Sequence, residues 1–471
     1  MADMERNSPA ISHLPDRREH RRLLPPDGIP ITSLRAYEDM GGLIALRQVQ
    51  QARPEAVIDE LTRSGLRGRG GAGFSTGAKW SGALQEGTGT RYVCCNGAEG
   101  EPGTFKDRYL LRMNPYQVLE GIAIAAYTIG APQAFICLKQ SFRPEIDRLQ
   151  EALDAFMASG ILGAPPSLEM TLVLGPEEYL FGEEKALLEV VEGNLPLPRW
   201  LPPYIEGLFI EPNVANPTLV NNVETLANVT HILRHGAEWF RQVGTADSPG
   251  TMICTVCEDV RRPGCYELPL GTPLRVLIEE LGGGARPGRT LKAIFPGVSN
   301  GVLMADDLDE RLEFDALRNA GSGLGSAGFI VYDDTACMVK VAALLSRFLY
   351  VESCQQCTPC KFGSGEITTA LDRFIQGVGG QDDISRIQSR CGIVATANRC
   401  ALPVGERVVV ESMLASFPEE FQAHEHTPCP HPRVLTLPKL VDYDPASHTF
   451  TYDHLQARKQ PDWTYATTPE P

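Results

Sequence analysis

Apolar residues first recur at helical spacing from Pro54, where Val57, Ile58 and Leu61 share one face and Ser64-Gly65 closes the run. A glycine-rich loop follows, then a short helical stretch over 79–84. The run RYVCCNGAEGEPG predicts a strand ending in a polar loop. Helix over 115–129, strand AFICLK, helix over 143–159, strand SLEMTLVLG and helix GEEKALLEVVEG come next. Strands alternating with helices predict an α/β unit with a largely parallel sheet over 54–245.

After Gly250 the period shortens. TMICTVC, GCYELPLG, LKAIFPG and GFIVYDD predict short strands, with one helix over 274–281, so 246–334 should be a small α+β unit. From Thr335 the spacing turns helical throughout. The segments ACMVKVAALLSRFLYVES, EITTALDRFIQG, 383–388 and ERVVVESMLASFPEEF predict a four-helix bundle over 335–430. The tail, 431–471, is Pro-rich with strands expected at RVLTL and TFTYDH. Residues 1–53 lack periodicity and carry the charge run DRREHRR, predicting an extension that wraps a neighbouring surface or stays partly disordered.

Composition narrows the function classes. A formal net charge of −16 argues against nucleic-acid binding, which needs a basic surface. No stretch approaches the about 20 apolar residues of a membrane span, and 122–129 is far too short. Asp3, Glu5 and Arg6 precede no apolar core, so no secretory signal is expected and the location should be cytoplasmic, or membrane-peripheral through a complex.

Thirteen cysteines in a reducing compartment call for something other than disulfides. Cys137 and Cys337 fit buried small hydrophobes, and Cys254, Cys257 and Cys265 fit a strand core. Cys354, Cys357 and Cys360 form C-x2-C-x2-C, with Cys400 forty residues later. Thiolates so spaced on a turn reach three corners of one cubane, and a distant cysteine closes it. Zinc more often takes two paired ligands at each end. Cys391 competes for the fourth place, but Cys400 directly precedes an expected helix. His424, His426, Cys429 and His431 (HEHTPCPH) can bind metal, but a solvated loop is the plainer reading.

Gly68-Arg69-Gly70-Gly71-Ala72-Gly73 matches G-x-G-x-x-G but follows a helix rather than a strand, so the ordinary dinucleotide fold does not apply. Its backbone N–H groups can still approach an anion, with Arg69 and Lys79 adding positive charge. Asn96, Glu99 and Glu101 follow a strand end, Tyr179 precedes Gly182-Glu183-Glu184 at a helix start, and Asn221-Asn222 supplies paired amides suited to a flavin. Helix capping and turn formation are the plainer roles for Glu183, Glu184, Asn221 and Asn222.

Taken in order, GLRGRGGAGFSTGAKW, CNGAEGEPGTFKDR, GEEKALLEVVEG, PTLVNNVETLANV, ESCQQCTPCKFGSGE and Cys400 resemble the NADH-binding flavoprotein subunit of respiratory complex I. They are similar too to the diaphorase subunits of NAD-reducing hydrogenases and NAD-dependent formate dehydrogenases. The resemblance implies an α/β FMN-binding domain, a ubiquitin-like β-grasp domain and a four-helix bundle carrying a [4Fe–4S] cluster. It implies FMN contacts from Gly68, Arg69, Gly70, Lys79, Asn96, Glu99, Tyr179, Gly182, Glu183, Asn221, Asn222 and Thr225. Phe74 and Glu101 would meet NAD(H), and Cys354, Cys357, Cys360 and Cys400 would hold the cluster. The implied partners are a thioredoxin-like [2Fe–2S] subunit and a larger iron–sulfur or catalytic subunit.

The implied enzyme is an NADH dehydrogenase subunit in which no side chain is a catalytic acid or base, because the flavin itself takes the hydride. Departures from the family pattern lie on the nucleotide side. Ala98 stands where a carboxylate is usual, Leu201 and Tyr204 flank Pro202-Pro203, and Gly82 replaces a frequent aromatic. An FMN/[4Fe–4S] paralogue with another donor, or a non-catalytic electron-relay or scaffold subunit, are the alternatives.

Overall fold

The computed structural model describes residues 19–85, 87, 89–163, 168–210 and 214–467. The N-terminal segment is more structured than its charge run suggests. Leu23 and Leu24 are buried, and the N–H groups of residues 22–24 donate to the Glu267 carboxylate at 2.9–3.1 Å. Arg22 stacks over the Trp239 ring at 3.9 Å. Two short helices follow, α1 (Leu34–Asp39) and α2 (Ile44–Val49). The buried Glu120 gathers them by accepting from Tyr37 Oη and from the N–H groups of Leu43 and Leu46. Residues 1–15 and part of the charge run lie outside the described residues.

Helix α3 (Pro54–Ser64) starts with proline at its first turn and stops at Gly65, whose φ of 70° suits a left-handed cap. After α4 (Thr76–Gln85) and β1 (Tyr92–Asn96) comes α5 (Lys106–Met113), which the residue pattern did not announce. Half of its side chains are charged, yet nearly all are buried. Helix α6 (Pro115–Ile129) is buried on nearly every face and forms the core post of this unit. Then follow β2 (Gln133–Lys139), α7 (Arg143–Ala158), β3 (Glu169–Gly175), α8 (Glu184–Val191), β4 (Thr218–Asn222), α9 (Val223–His235) and α10 (Ala237–Arg241). The sheet order is β3-β2-β1-β4, parallel throughout. Parallel strands covered on both faces read as continuous apolar runs, as YVCC does.

The second sheet comprises β5 (Thr251–Glu258), β6 (Gly264–Pro269), β7 (Leu291–Pro296) and β8 (Gly328–Asp333), in the order β6-β5-β8-β7. Its central pair β5–β8 is parallel, flanked by antiparallel neighbours. A π-type segment, Val276–Leu281, and α11 (Phe314–Asn319) complete this unit. Cys254, Cys257 and Cys265 are buried in its strands as core residues, and β5 is buried on both faces rather than alternating.

The helical region holds α12 (Met338–Glu352), α13 (Thr358–Ile375), α14 (Gln381–Val394), α15 (Leu402–Ser416) and the short α16 (Pro418–Ala423). Helix α14 is longer than the stretch expected at 383–388, because Ile387, Cys391 and Val394 continue its buried face. In the tail, RVLTL is not a strand. The hairpin is β9 (Leu440–Asp444) with β10 (Thr449–Tyr452), held by Tyr443 stacked on Phe450 and packed against Phe105. Among the described residues no helix is long and apolar enough to cross a membrane.

Candidate functional site

The glycine loop is a backbone turn. Gly68 N donates to Phe74 O at 2.8 Å, and Gly71 and Gly73 have φ of 125° and 62°. A Cβ on Gly70 would come 3.2 Å from Asn222 Cβ, and one on Gly182 would come 3.1 Å from Ala98 O. Glycine therefore lets the loop and the start of α8 approach the C-terminal strand ends closely. Asn96 and Asn222 are register partners there, on adjacent parallel strands. Ligands of parallel α/β sheets lie at this edge.

The expected flavin residues converge on that edge, in differing roles. Asn222 caps α9, accepting from Glu224 N at 3.0 Å and Thr225 N at 3.3 Å, and donates to Asp107 at 2.6 Å. Asn221 accepts from the buried Trp80 indole at 2.8 Å. Thr225 Oγ1 accepts from Arg69 N at 2.8 Å, pinning the glycine loop. Asn96 donates to Gly182 O at 2.8 Å. Lys79 reaches Glu184 at 2.6 Å, at the start of α8, and remains partly exposed.

Two charges are spent differently from the expectation. The Arg69 guanidinium is fully buried and donates to the carbonyls of Arg67 and Pro249 at 2.9 and 3.0 Å, so it braces the loop instead of presenting charge to an anion. Burial lowers it to about 10. Glu99 accepts from Asp107 N at 2.9 Å and pairs with Arg108 at 3.0 Å, at the start of α5.

The residue pattern did not single out Lys106, whose buried ammonium pairs with Asp107 at 2.7 Å and Glu224 at 2.9 Å. Burial pushes Asp107 up to about 7 against the pull of Lys106. The signal available was adjacent opposite charges inside GTFKDR, immediately after the acidic loop.

On the nucleotide side, Phe74 is exposed at 61%. Glu101 accepts from Tyr179 Oη at 2.5 Å and Val298 N at 2.7 Å, and burial raises its pKa. Ala98 is buried, Leu201 and Tyr204 are exposed, and nothing stands within 4 Å of a Cβ built on Gly82.

The four cysteines expected to hold a cluster come together at the C-terminal end of α12, the start of α13 and the loop before α15. Arg399 N donates to Cys357 Sγ at 3.4 Å, which seats the Cys400 loop beside the C-x2-C-x2-C turn. Gln356 Nε2 lies 3.5 Å from Cys354 Sγ, and Ser353 Oγ lies 3.2 Å from Cys360 Sγ. Cys391 is fully buried in α14 among core side chains.

One helix start joins the two sites. Glu183 caps α8 through Lys185 N and Ala186 N at 3.0 and 2.9 Å, and its charge is felt at Cys400. Burial pushes Glu183 up to about 7. Lys185 Nζ donates to Arg399 O, on the residue whose N–H meets Cys357. Behind Cys354, Glu352 is fully buried and paired with Lys459 at 3.0 Å.

A glycine loop and paired amides at the strand ends, joined through one helix start to the loop of four neighbouring cysteines, suit an electron-transferring flavoprotein module. Comparison with known proteins names it more closely. Residues 61–231 match the Nuo51 FMN-binding domain, 255–304 the SLBB domain, and 340–424 the NADH-ubiquinone oxidoreductase-F iron-sulfur binding region. The second F subunit of NADH-quinone oxidoreductase in Rhizobium meliloti is 41% identical over 86% of this chain and 97% of its own length. The HndC subunit of the NADP-reducing hydrogenase of Solidesulfovibrio fructosivorans is 36% identical over 88% of this chain and 86% of its own. A crystal structure of NAD+-reducing [NiFe]-hydrogenase in the H2-reduced state superposes with a TM-score of 0.75 at 31% identity, covering 84% of this chain and 67% of the other. This chain belongs to the family of NADH-quinone oxidoreductase F subunits.

Proposed function

We propose that this chain takes a hydride from NADH at its FMN site and delivers electrons singly to its [4Fe–4S] site and then to partner subunits, or runs the same path in reverse to reduce NAD+. The carrying observation is the shared start of α8, which touches the strand ends through Gly182 and the cluster loop through Lys185. Flavin supplies the conversion between two-electron and one-electron transfer.

The side chains bind and orient. Gly68 and Gly70 keep the backbone low for a phosphate, Lys79 adds the exposed charge, and Asn96, Asn221, Asn222 and Thr225 frame the ring edge. Arg69 and Glu99 fix the loops behind them, while Tyr179, Gly182 and Glu183 close the side toward the cluster. Phe74 offers an exposed face for a nicotinamide nucleotide, and Glu101, held by Tyr179 and Val298, an acceptor for it. Cys354, Cys357, Cys360 and Cys400 hold the cluster.

We divide the chain into 1–53, 54–245, 246–334, 335–430 and 431–471. The central parallel pair of the second sheet supports a ubiquitin-like β-grasp, and α12–α15 support a four-helix bundle. As part of a larger assembly, the chain would hand electrons to a thioredoxin-like [2Fe–2S] protein and a larger iron–sulfur or catalytic subunit, in the cytoplasm or at a membrane surface through its complex.

Anaerobic stopped-flow mixing of the holoprotein with NADH tests this reading. Fast flavin bleaching, abolished by Glu101→Gln or Phe74→Ala, is expected. A flavin that stays oxidised with NADH and NADPH but bleaches with dithionite would overturn the donor assignment. Ala98, in place of a carboxylate, would then point to a paralogue with another electron donor.

A further inference from the structure

The loop after α16 was expected to be solvated, and Cys337 to be an ordinary core thiol. Instead they meet. His424 and Cys337 are each about 1% exposed, and Cys429 is half-buried. Cys337 Sγ lies 3.4 Å from His424 Nε2 and 3.6 Å from Cys429 Sγ. His431 also comes within 4.8 Å of Cys337 through a ring nitrogen.

We propose that Cys337, His424 and Cys429 form a structural zinc site separate from the iron–sulfur cluster, with His431, which groups with Cys337 and Glu420, swinging in as the fourth ligand when the metal binds. A tetrahedral zinc with bonds of about 2.3 Å to sulfur and about 2.0 Å to nitrogen sets its ligands about 3.8 Å apart for S···S and about 3.5 Å for S···N. The observed pairs match both separations.

Tautomer and charge agree with that assignment. His424 Nδ1 lies 2.7 Å from Glu420 O, and a carbonyl only accepts, so Nδ1 carries the proton and the Nε2 lone pair faces the thiols. Cys337 is the N-cap of the 15-residue helix α12; burial and the neighbouring Cys429 push its thiol up to about 12, so it is the metal that would displace the proton, with the helix dipole helping the thiolate. The Glu420 carboxylate, the other nearby donor, is engaged by Met338 N at 2.9 Å and Lys292 at 2.7 Å. Two thiolates with two imidazoles suit zinc, which brings no redox chemistry to compete with the cluster.

The site would fasten the start of the tail to the start of α12. Lys340, one turn into α12, already holds the carbonyls of His431 and Arg433 at 2.7 and 3.1 Å. Downstream, the tail delivers Lys459 to Glu352, next to the cluster turn.

Metal analysis of the purified holoprotein should find zinc equimolar with the chain besides the cluster iron. Cys429→Ala should lose the zinc while keeping iron and flavin, and Cys354→Ser should lose iron while keeping the zinc. Protein produced in cobalt-supplemented medium should show thiolate-to-cobalt charge transfer with intense tetrahedral bands. That wild-type spectrum decides the matter even if Cys429→Ala fails to fold. Wild-type protein without zinc or cobalt signal would overturn the site, as would a Cys337–Cys429 disulfide or zinc that follows iron in Cys354→Ser. Each of these readouts is independent of whether NADH is the donor.

Discussion

Lys459, in the tail, lies 3.0 Å from both carboxylate oxygens of Glu352, the last residue of α12, and both side chains are fully buried. Glu352 also accepts from Tyr179 N and Gln456 Nε2, each at 2.9 Å. One carboxylate therefore ties the tail, the loop before α8 and the helix that ends at Ser353-Cys354. Desolvation works against its charged form, but Lys459, Lys439 and the Tyr179 N–H outweigh it and hold its pKa below the ordinary value.

Removing the cation strands that charge. Lys459→Met should cost about 3–5 kcal/mol, the usual penalty for breaking a buried pair from one side. Thermal unfolding of the holoprotein measures it. In wild type, the Glu352 contribution is present above the unfolded carboxylate pKa and is lost as pH falls through the lower folded value. The double variant Lys459→Met/Glu352→Met should recover much of the loss and remove that acid sensitivity.

Glu406 behaves oppositely. It is fully buried with only Ser346 Oγ, at 3.0 Å, as a partner among the described residues, and burial pushes it up to about 8. The native state then holds a proton that the unfolded chain has released, so stability falls as pH rises from about 4.5 to about 8, by up to about 1.4 kcal/mol per pH unit. Glu406→Gln should match wild type near pH 5 and melt higher than wild type at pH 8. Equal melting temperatures at both pH values would contradict the burial argument.

The fourth cluster ligand can be settled by a pair of variants. Cys400→Ser should lower iron content and abolish the native cluster signal in electron paramagnetic resonance. Cys391→Ala should keep both and cost about 1 kcal/mol as an ordinary core truncation. Reversed results would move the ligand to α14.

Asn222 carries two loads, capping α9 and holding Asp107. Asn222→Ala should cost about 1–2 kcal/mol for the lost cap. It should also release flavin, read as a fall in visible absorbance per chain after gel filtration. Asn222→Asp keeps the cap acceptor but sets a second carboxylate against Asp107, 2.6 Å from the present amide. It should therefore restore stability more than flavin.

Much of this protein was determined locally. The alternating strands and helices of the first unit, the four strands of the second and the long helices of the third follow from periodicity, because each element needs one buried face of the right period. The Pro54 start and Gly65 stop of α3 are set by backbone geometry that the chain carries itself. The cysteine spacing on one turn was equally legible. Long-range placement was not. Helix α5 is half charged, and its burial makes sense only with Glu99, Glu224 and the tail around it. The N-terminal segment is ordered by Glu267 and Glu120, carboxylates far along the chain that collect its backbone N–H groups. Arg69 was legible as a charge, but only the fold turned it inward onto two carbonyls. Cys337 and His424 stand 87 residues apart, and nothing in either neighbourhood announces the other. Periodicity reports which face of an element is buried, whereas a pairing between distant polar groups depends on where the packed elements bring them, and only the tertiary structure decides that.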